Sequence, residues 1–415
     1  MSGRWGLAVP VVMVAALSTL SCGGSTPASS KGPVTIDVTP ISSVADEAVR
    51  IAVRGLRPGA KARVDLRSVD YHHVIWSSSA LFRVGPDGEL DLNRDAPVAG
   101  SYSGEWGMGL LTSMRPSKAS EAAYFWGPAE TFTLAVRLDG RRVASATFLR
   151  RFSPNPIRLQ RLRLNQVGFI GEYWLPTVSG KRPAILIIGG SNGGEAAGLL
   201  GAFLAARGYP SVDVAYFGEP GLPTTLESIP LEYFVKALGW LRAQPHVGQK
   251  QVIVLGISRG SEAAFLLAVH YPALVNGVIG SVPDSVALCS YPGCSGPAWT
   301  LDGRALPYSH ELGDVRPTDD PAAIIPIERV RGPVFLACAG DDQVSPSCLY
   351  ANAIMKRLDS HQDRYRHVLY RSPNAGHLIG TLFPYEPLAS GHNSIDERAR
   401  ETLWPHLMTF LAHIN

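Results

Sequence analysis

Several things are missing or scarce in this chain. It has no cluster of cysteine, histidine and carboxylate residues at metal-ligand spacing, no phosphate-cradling loop of the P-loop type and no long internal repeat. No metal centre, nucleotide-phosphate cradle or repeat array is therefore expected. Charge of one sign is also lacking: 38 basic and 35 acidic residues leave a net charge of +3. That is too little to argue for nucleic acid or an acidic surface as partner. What remains is an ordinary globular composition, 46% hydrophobic and 18% charged over 415 residues. Such a chain can bury a sizeable core, and its length suggests two domains, or one with a large decoration.

The one N-terminal apolar run, Leu7 to Leu20, is short for a membrane span and follows a single basic residue, Arg4. It ends in Ser18-Thr19-Leu20-Ser21-Cys22, which resembles a bacterial lipoprotein signal. That resemblance implies a signal peptide over residues 1–21, lipidation of Cys22 and a flexible tether over 22–33, rich in Gly, Ser and Pro. The mature protein is then exported and anchored by lipid on the periplasmic or cell-surface side of a bacterial membrane. A plain secretory signal and an uncleaved anchor are the alternatives. Four further cysteines remain. Cys289 and Cys294 share one loop and can bridge. Cys338 and Cys348 are a second pair or buried thiols, and spacing does not decide between them.

From Val34 to Phe152 the pattern is β. Val34 to Thr39, Val49 to Arg54 and Ala62 to Arg67 alternate at period two, with a turn at Gly55–Gly59 and hairpin turns at Pro86-Asp87-Gly88 and Asp139-Gly140. Short strands at this spacing predict an Ig-like β-sandwich over 34–152. Tyr71, His72 and His73 fall within it as strand-face or turn residues.

Ser153-Pro-Asn-Pro156 breaks the pattern. Over 157–415 strands and helices alternate, which predicts a mainly parallel α/β sheet with helices on both faces. The expected order is a lead-in hairpin within Leu162–Trp174, a strand at Pro183–Ile188, a helix from Glu195 to Arg207, a strand at Ser211–Phe217 and a helix at Leu231–Arg242. Then come strands at Val252 and Val275, a loop-rich insert over 283–325, a strand at Gly332–Cys338, a helix from Ser347, a strand at His367–Tyr370 and a last helix from Ile395.

The stretch Val252 to Ala264 carries the chemistry. A β-branched run ends in Gly256-Ile257-Ser258-Arg259-Gly260, and an Ala-rich helical pattern follows. That is the context of a nucleophile elbow, with Ser258 on a strained turn at the head of a helix. A serine nucleophile needs a base, and the base needs a carboxylate. Asp341 and Asp342 follow one strand and His377 follows the next, in the order Ser, Asp, His of an α/β hydrolase, which is the fold class expected of 157–415. The generic pattern leaves both aspartates open as the acid. His310, His361, His367 and His392 lack the placement, although His392 could line the cleft. The oxyanion donors are expected from the Arg259 N–H and from Gly190 or Ser191 in the Gly189–Gly194 loop.

Motifs along most of the chain resemble the family of type I acyl-CoA thioesterases and bile acid-CoA:amino acid N-acyltransferases. They are Ile36-Asp-Val-Thr-Pro40, Val53 to Gly59 and Gly100 to Leu110 in the first half. In the second they are Leu231-Glu-Tyr-Phe234, Gly256 to Gly260, Tyr350-Ala-Asn352 with Lys356-Arg-Leu358, and Gly376-His377-Leu-Ile379. The resemblance implies a serine acyl hydrolase with Ser258 as nucleophile, Asp342 as acid, His377 as base and no cofactor. Its substrate would be a small-molecule acyl thioester, acyl-CoA-like, or an ester. An N-acyltransferase and a catalytically silent surface-binding lipoprotein are the alternatives. Two stretches depart from the family pattern: Gly380 to Pro384 after the base, and the insert over 283–325.

Overall fold

The computed structural model describes residues 32–118, 123–177, 182–194, 199–361, 364–388 and 394–414, with backbone alone at 249 and 250. The signal segment, Cys22, most of the tether and His392 lie outside them, as do residues 195–198 of one expected helix.

From residue 157 onward the chain builds one eight-stranded sheet. Its strands are β1 (Ile157–Leu162), β2 (Ile170–Pro176), β3 (Arg182–Ile188), β4 (Ser211–Ala215), β5 (Val247–Ile257), β6 (Gly277–Ser281), β7 (Val334–Ala339) and β8 (Val368–Ser372). Their order across the sheet is β1-β2-β4-β3-β5-β6-β7-β8. β1, β2 and β4 join antiparallel, and every other neighbour pair is parallel. Parallel neighbours need crossovers, and helices supply them. These are α1 (Leu200–Ala206), α2 (Leu231–Arg242), α3 (Arg259–His270) and α4 (Ser347–His361); β6 reaches β7 through the insert, and α5 (Ser394–Ala412) follows the last strand.

The apolar strands are buried on both faces, and successive residues serve opposite layers. Leu186, Val254, Val278 and Leu336 point to the layer of α2, α3 and α4. Ile187, Leu255, Ile279 and Phe335 point to the layer of α1 and α5. A parallel sheet so covered leaves its carboxyl edge as the open end, where ligand sites form.

The first part of the chain is a sandwich of two sheets. One holds Thr35–Thr39, Arg50–Arg54 and Leu90–Asp91. The other runs through Ser42–Val44, Arg141–Arg151, Ala129–Leu138, Lys61–Val69, Ile75–Arg83 and Ala99–Gly100. Period-two burial is plain in Lys61–Val69, where Ala62, Val64 and Leu66 enter the core beside Trp76, Phe82 and Phe132. Asp139-Gly140 joins two antiparallel neighbours. The Pro86-Asp87-Gly88 turn does not close a hairpin: it carries the chain from one sheet to the other, because Leu90–Asp91 pairs with Arg50–Arg54. Local turn chemistry could not show this, since the choice of partner strand is made by burial of Leu90. Tyr71, His72 and His73 form the turn between Lys61–Val69 and Ile75–Arg83, with His73 at φ +61° and His72 stacked on Phe125 at 3.9 Å.

The sandwich sits against the α1 and α5 face. Trp106 Nε1 donates to Glu401 at 3.0 Å, Trp404 Nε1 to Asp46 at 2.8 Å, and Phe152 packs on Phe203 at 4.7 Å. Tyr385, from the loop before α5, is buried in the sandwich core.

Candidate active site

Ser258 lies at the junction of β5 and α3 with φ +53° and ψ −126°. A non-glycine residue in that region is strained and must be held by its surroundings. The two flanking glycines explain how. A Cβ on Gly256 would come within 2.3 Å of the Gly260 carbonyl oxygen. A Cβ on Gly260 would come within 2.3 Å of the carbonyl oxygens of both Ile188 and Gly189. Strand and helix therefore approach as closely as backbone allows, and the sharp turn follows. The Ser258 N–H donates to the Ser281 carbonyl at 2.9 Å, which pins the turn to the end of β6. The side chain stands at the carboxyl edge of the sheet, at the positive end of α3.

The Gly189–Gly194 loop leaves β3 beside it. A Cβ on Gly190 would lie 3.3 Å from Ser258 Cβ, so the loop passes beside the serine. The Tyr216 hydroxyl lies 2.8 Å from the Gly189 carbonyl oxygen and 2.9 Å from that of Gly190, tying both carbonyls down. Gly193 and Gly194 carry the chain back with φ of +70° and +61°. Ser191 sits half-buried in the same loop.

Asp342 and His377 come from the carboxyl ends of β7 and β8. His377 Nδ1 lies 2.9 Å from each carboxylate oxygen of Asp342. The Asp342 side chain is 1% exposed and that of His377 is 21% exposed. Asp342 also accepts the N–H groups of Val344 and Ser345 on Oδ1, each at 3.1 Å, and the Ser347 hydroxyl on Oδ2 at 2.8 Å. Burial alone would raise its carboxyl. The hydrogen bond and charge of His377, with those donors, outweigh burial and hold it below the usual range. Asp341, one residue earlier, faces solvent and takes the Gln343 side-chain amide at 2.7 Å. The structure thus separates the two aspartates.

His377 heads a short turn, His377–Thr381, laid across the strand ends. Ile379 packs with Ile257 and Val282, and the Ser281 hydroxyl donates to the Gly380 carbonyl at 3.2 Å. The imidazole's turn therefore rests on the residue that precedes Ser258. Three other candidate histidines among the described residues are elsewhere: His310 pairs with Asp319 at 3.1 Å, His361 ends α4, and His367 Nδ1 accepts the Val334 N–H at the amino end of β7.

The Arg259 side chain faces the insert. Its buried guanidinium binds Glu262, one turn along α3, and donates to the carbonyls of Leu288 and Cys289 at 3.1 and 2.8 Å. Glu262 in turn accepts the Trp299 indole N–H at 2.7 Å and the Leu288 N–H at 3.0 Å. The insert over 283–325 is thereby fastened to the first turn of α3. It is less loop-like than its composition suggests, since Trp299–Leu301 pairs with Ile229–Pro230 and with Arg304–Ala305. Among the described residues two disulfides are present, Cys289–Cys294 within the insert and Cys338–Cys348 between β7 and α4. The second closes the loop that carries Asp341 and Asp342.

Sequence reasoning missed Tyr216, Glu262, Asp284, Ser345 and Ser347. Ser345-Pro346-Ser347 reads locally as a helix start, and nothing in it names a carboxylate partner. Among the described residues no group of three or more His, Cys, Asp and Glu is placed to hold a metal.

The sheet order, the serine turn at its carboxyl edge and the Asp–His pair at the ends of β7 and β8 define an α/β hydrolase that carries an N-terminal β-sandwich. Comparison with known proteins gives the family. Residues 46–163 match the acyl-CoA thioester hydrolase/BAAT N-terminal region, and residues 229–289 and 304–413 match the BAAT/acyl-CoA thioester hydrolase C-terminal region. Acyl-coenzyme A thioesterase 1 of Mus musculus is 32% identical over 374 residues, covering 83% of this chain and 84% of its own. The mitochondrial acyl-coenzyme A thioesterase 2 of Homo sapiens is 30% identical over 369 residues, covering 83% and 73%. The chain belongs to the acyl-CoA thioester hydrolase/BAAT family, and it is a hydrolase of thioester type. A solved putative dienelactone hydrolase from Klebsiella pneumoniae aligns with 62% of this chain and 100% of its own at 15% identity, with a TM-score of 0.43, a likeness too loose to bear on function. The stretch 290–303, between the two C-terminal matches, falls inside the insert.

Proposed function

We propose that the protein is a serine acyl hydrolase that cleaves an acyl thioester or ester through Ser258, His377 and Asp342. The observation that carries this reading is the His377 Nδ1 contact with both Asp342 oxygens, on a turn that packs against the strand ending in Ser258. Asp342 holds the imidazole with its proton on Nδ1, which leaves Nε2 free to accept. His377 takes the Ser258 hydroxyl proton as the oxygen attacks the carbonyl carbon. The negative oxygen that forms is met by the Arg259 N–H and by an N–H of Gly190 or Ser191, worth about 3 kcal/mol each. The proton passes from His377 to the departing thiol or alcohol. Water, deprotonated by the same imidazole, then releases the acid from the serine ester.

Ser258→Ala removes only the attacking oxygen. It is expected to abolish turnover and labelling by a fluorophosphonate while the far-ultraviolet circular dichroism stays unchanged. Equal turnover in the variant would refute the assignment.

The relatives are acyl-coenzyme A thioesterases by name, so an acyl-CoA-like thioester is the first substrate to test. The insert holds Arg304 and Arg316 against Asp284, Asp302, Glu311, Asp314, Asp319 and Asp320, a poor match for a polyanionic leaving group. An exported, lipid-anchored enzyme, as the N-terminal segment suggests, would also meet little CoA. Short p-nitrophenyl esters are therefore expected to be hydrolysed, and matched acyl-CoA and acyl-N-acetylcysteamine substrates to give similar kcat/KM. A strong advantage for CoA would overturn this choice of leaving group and leave the triad standing.

A further inference from the structure

A second carboxyl, which the proposed chemistry does not use, lies behind the Asp342–His377 pair. Asp284 follows β6 by three residues and is 1% exposed. Its Oδ1 accepts the Ser345 hydroxyl at 2.7 Å, and its own N–H donates to Ser261 Oγ at 3.1 Å. Ser345 is itself buried, and its backbone N–H donates to Asp342 Oδ1 at 3.1 Å. One serine thus joins two carboxylates, through its N–H to the acid beside the imidazole and through its O–H to Asp284.

We propose that Asp284 is a positioning residue of this site, holding the Asp342 loop through Ser345 and placing negative charge on the side of His377. The proposal rests on the reading of Ser258, His377 and Asp342 as a triad. The charged and titratable groups around Asp284 are Glu262 and Arg259 from α3, His377 from its turn, Tyr350 from α4 and, through Ser345, Asp342. Burial first, and then the charge of Glu262, push its carboxyl up to about 7; the Ser345 bond, Arg259 and His377 pull the other way. Asp284 therefore changes charge across the neutral range.

Ionised, it accepts the Ser345 hydroxyl and favours the imidazolium that forms as Ser258 gives up its proton. Protonated, it loses that charge and the full strength of that bond. Its contribution to rate is present above about pH 7 and fades below. The sign for stability is opposite. The folded value lies above the ordinary 3.8, so between those two values the folded state holds more protons than the unfolded chain. Stability then falls as pH rises through that window. Asp284 thus costs stability where it helps activity, the relation expected of a residue retained for function rather than for folding.

The test is a pH series, from about pH 5 to about pH 9, on the full chain as wild type, Asp284→Asn, Asp284→Ala and Ser345→Ala. It reads kcat and KM on a p-nitrophenyl ester together with the thermal midpoint. Asn keeps an acceptor for Ser345 and loses the charge; Ala loses both. In wild type, kcat/KM is expected to fall with more than one proton below neutrality, and in Asp284→Asn with one. At the alkaline end kcat in Asp284→Asn is expected to drop roughly tenfold, the size of one pKa unit of lost charge interaction, with KM little changed. Asp284→Ala should be slower still, and Ser345→Ala should also lose kcat. Asp284→Asn should melt above wild type at the alkaline end, with the gap closing at the acid end. Superimposable pH profiles for wild type and Asp284→Asn would overturn the proposal. So would a parallel loss of activity and thermal midpoint in Asp284→Asn at the alkaline end. If Asp284→Ala does not fold, the Asn and Ser345 variants still decide. Failure of the underlying triad looks different: Ser258→Ala would then keep its turnover.

Discussion

Asp342→Asn keeps the shape of the side chain and removes its charge. In the structure the Asp342 carboxylate meets donors on every side: His377 Nδ1 at 2.9 Å from both oxygens, the Ser347 hydroxyl at 2.8 Å, and two backbone N–H groups at 3.1 Å. An amide offers one acceptor and one donor group. The backbone N–H groups of Val344 and Ser345 cannot turn away, so the amide oxygen stays with them. The NH2 then faces Ser347 and His377. The imidazole must present Nδ1 as an acceptor and carry its proton on Nε2, the tautomer that cannot receive the Ser258 proton. Loss of the tautomer in a triad costs about 10⁴ in kcat, or roughly 5.5 kcal/mol of transition-state stabilisation. Asp341→Asn disturbs an exposed carboxylate that binds Gln343, and less than about threefold is expected there, as for most exposed ion and hydrogen-bond contacts. The assay is kcat on a p-nitrophenyl ester, normalised to the fraction of serine that reacts with a fluorophosphonate. If Asp341→Asn is the crippling change, or if Asp342→Asn stays within tenfold of wild type, the assignment of the acid is refuted.

Three further outcomes are expected. Gly260→Ala drives a Cβ to 2.3 Å from two backbone oxygens; it should destabilise by about 3 kcal/mol and slow turnover, as urea unfolding and kcat will show, and an unchanged midpoint would refute the close-packing account of the elbow. The Cys338–Cys348 bridge spans a sequence separation of 10 around the acid loop. Opening it by paired serine substitution should cost about 3 kcal/mol by loop entropy and lower kcat more than opening Cys289–Cys294 does; the reverse ranking would count against its role in holding Asp342. Cys22→Ala should release the protein from bacterial membranes, and equal incorporation of radiolabelled palmitate in variant and wild type would exclude lipidation at that cysteine.

Much of this protein is legible in the sequence because its determinants are local or periodic. The alternation of apolar strands with helical patterns from residue 157 names a parallel α/β sheet, and Leu231–Arg242 emerges as a helix with the same bounds. Gly256-Ile-Ser-Arg-Gly260 declares its own backbone, since the glycines are required wherever that turn is made. The order Ser258, Asp342, His377 places each group after a strand, and a parallel sheet brings strand ends to one edge. Other features needed the tertiary structure. Asp341 and Asp342 are adjacent and chemically alike; only the course of the chain after β7 buries one and exposes the other. The Pro86-Asp87-Gly88 turn reads as a hairpin until burial of Leu90 sends the next strand to the other sheet. Asp284 and Ser345 are 61 residues apart and share a hydrogen bond. Arg259 and the Cys289 carbonyl meet because the insert folds back on α3. A sequence records periodicity and turn chemistry, which act over a few residues. Burial, charge and hydrogen-bond partnership are set by what the rest of the chain brings alongside, and that only the folded structure decides.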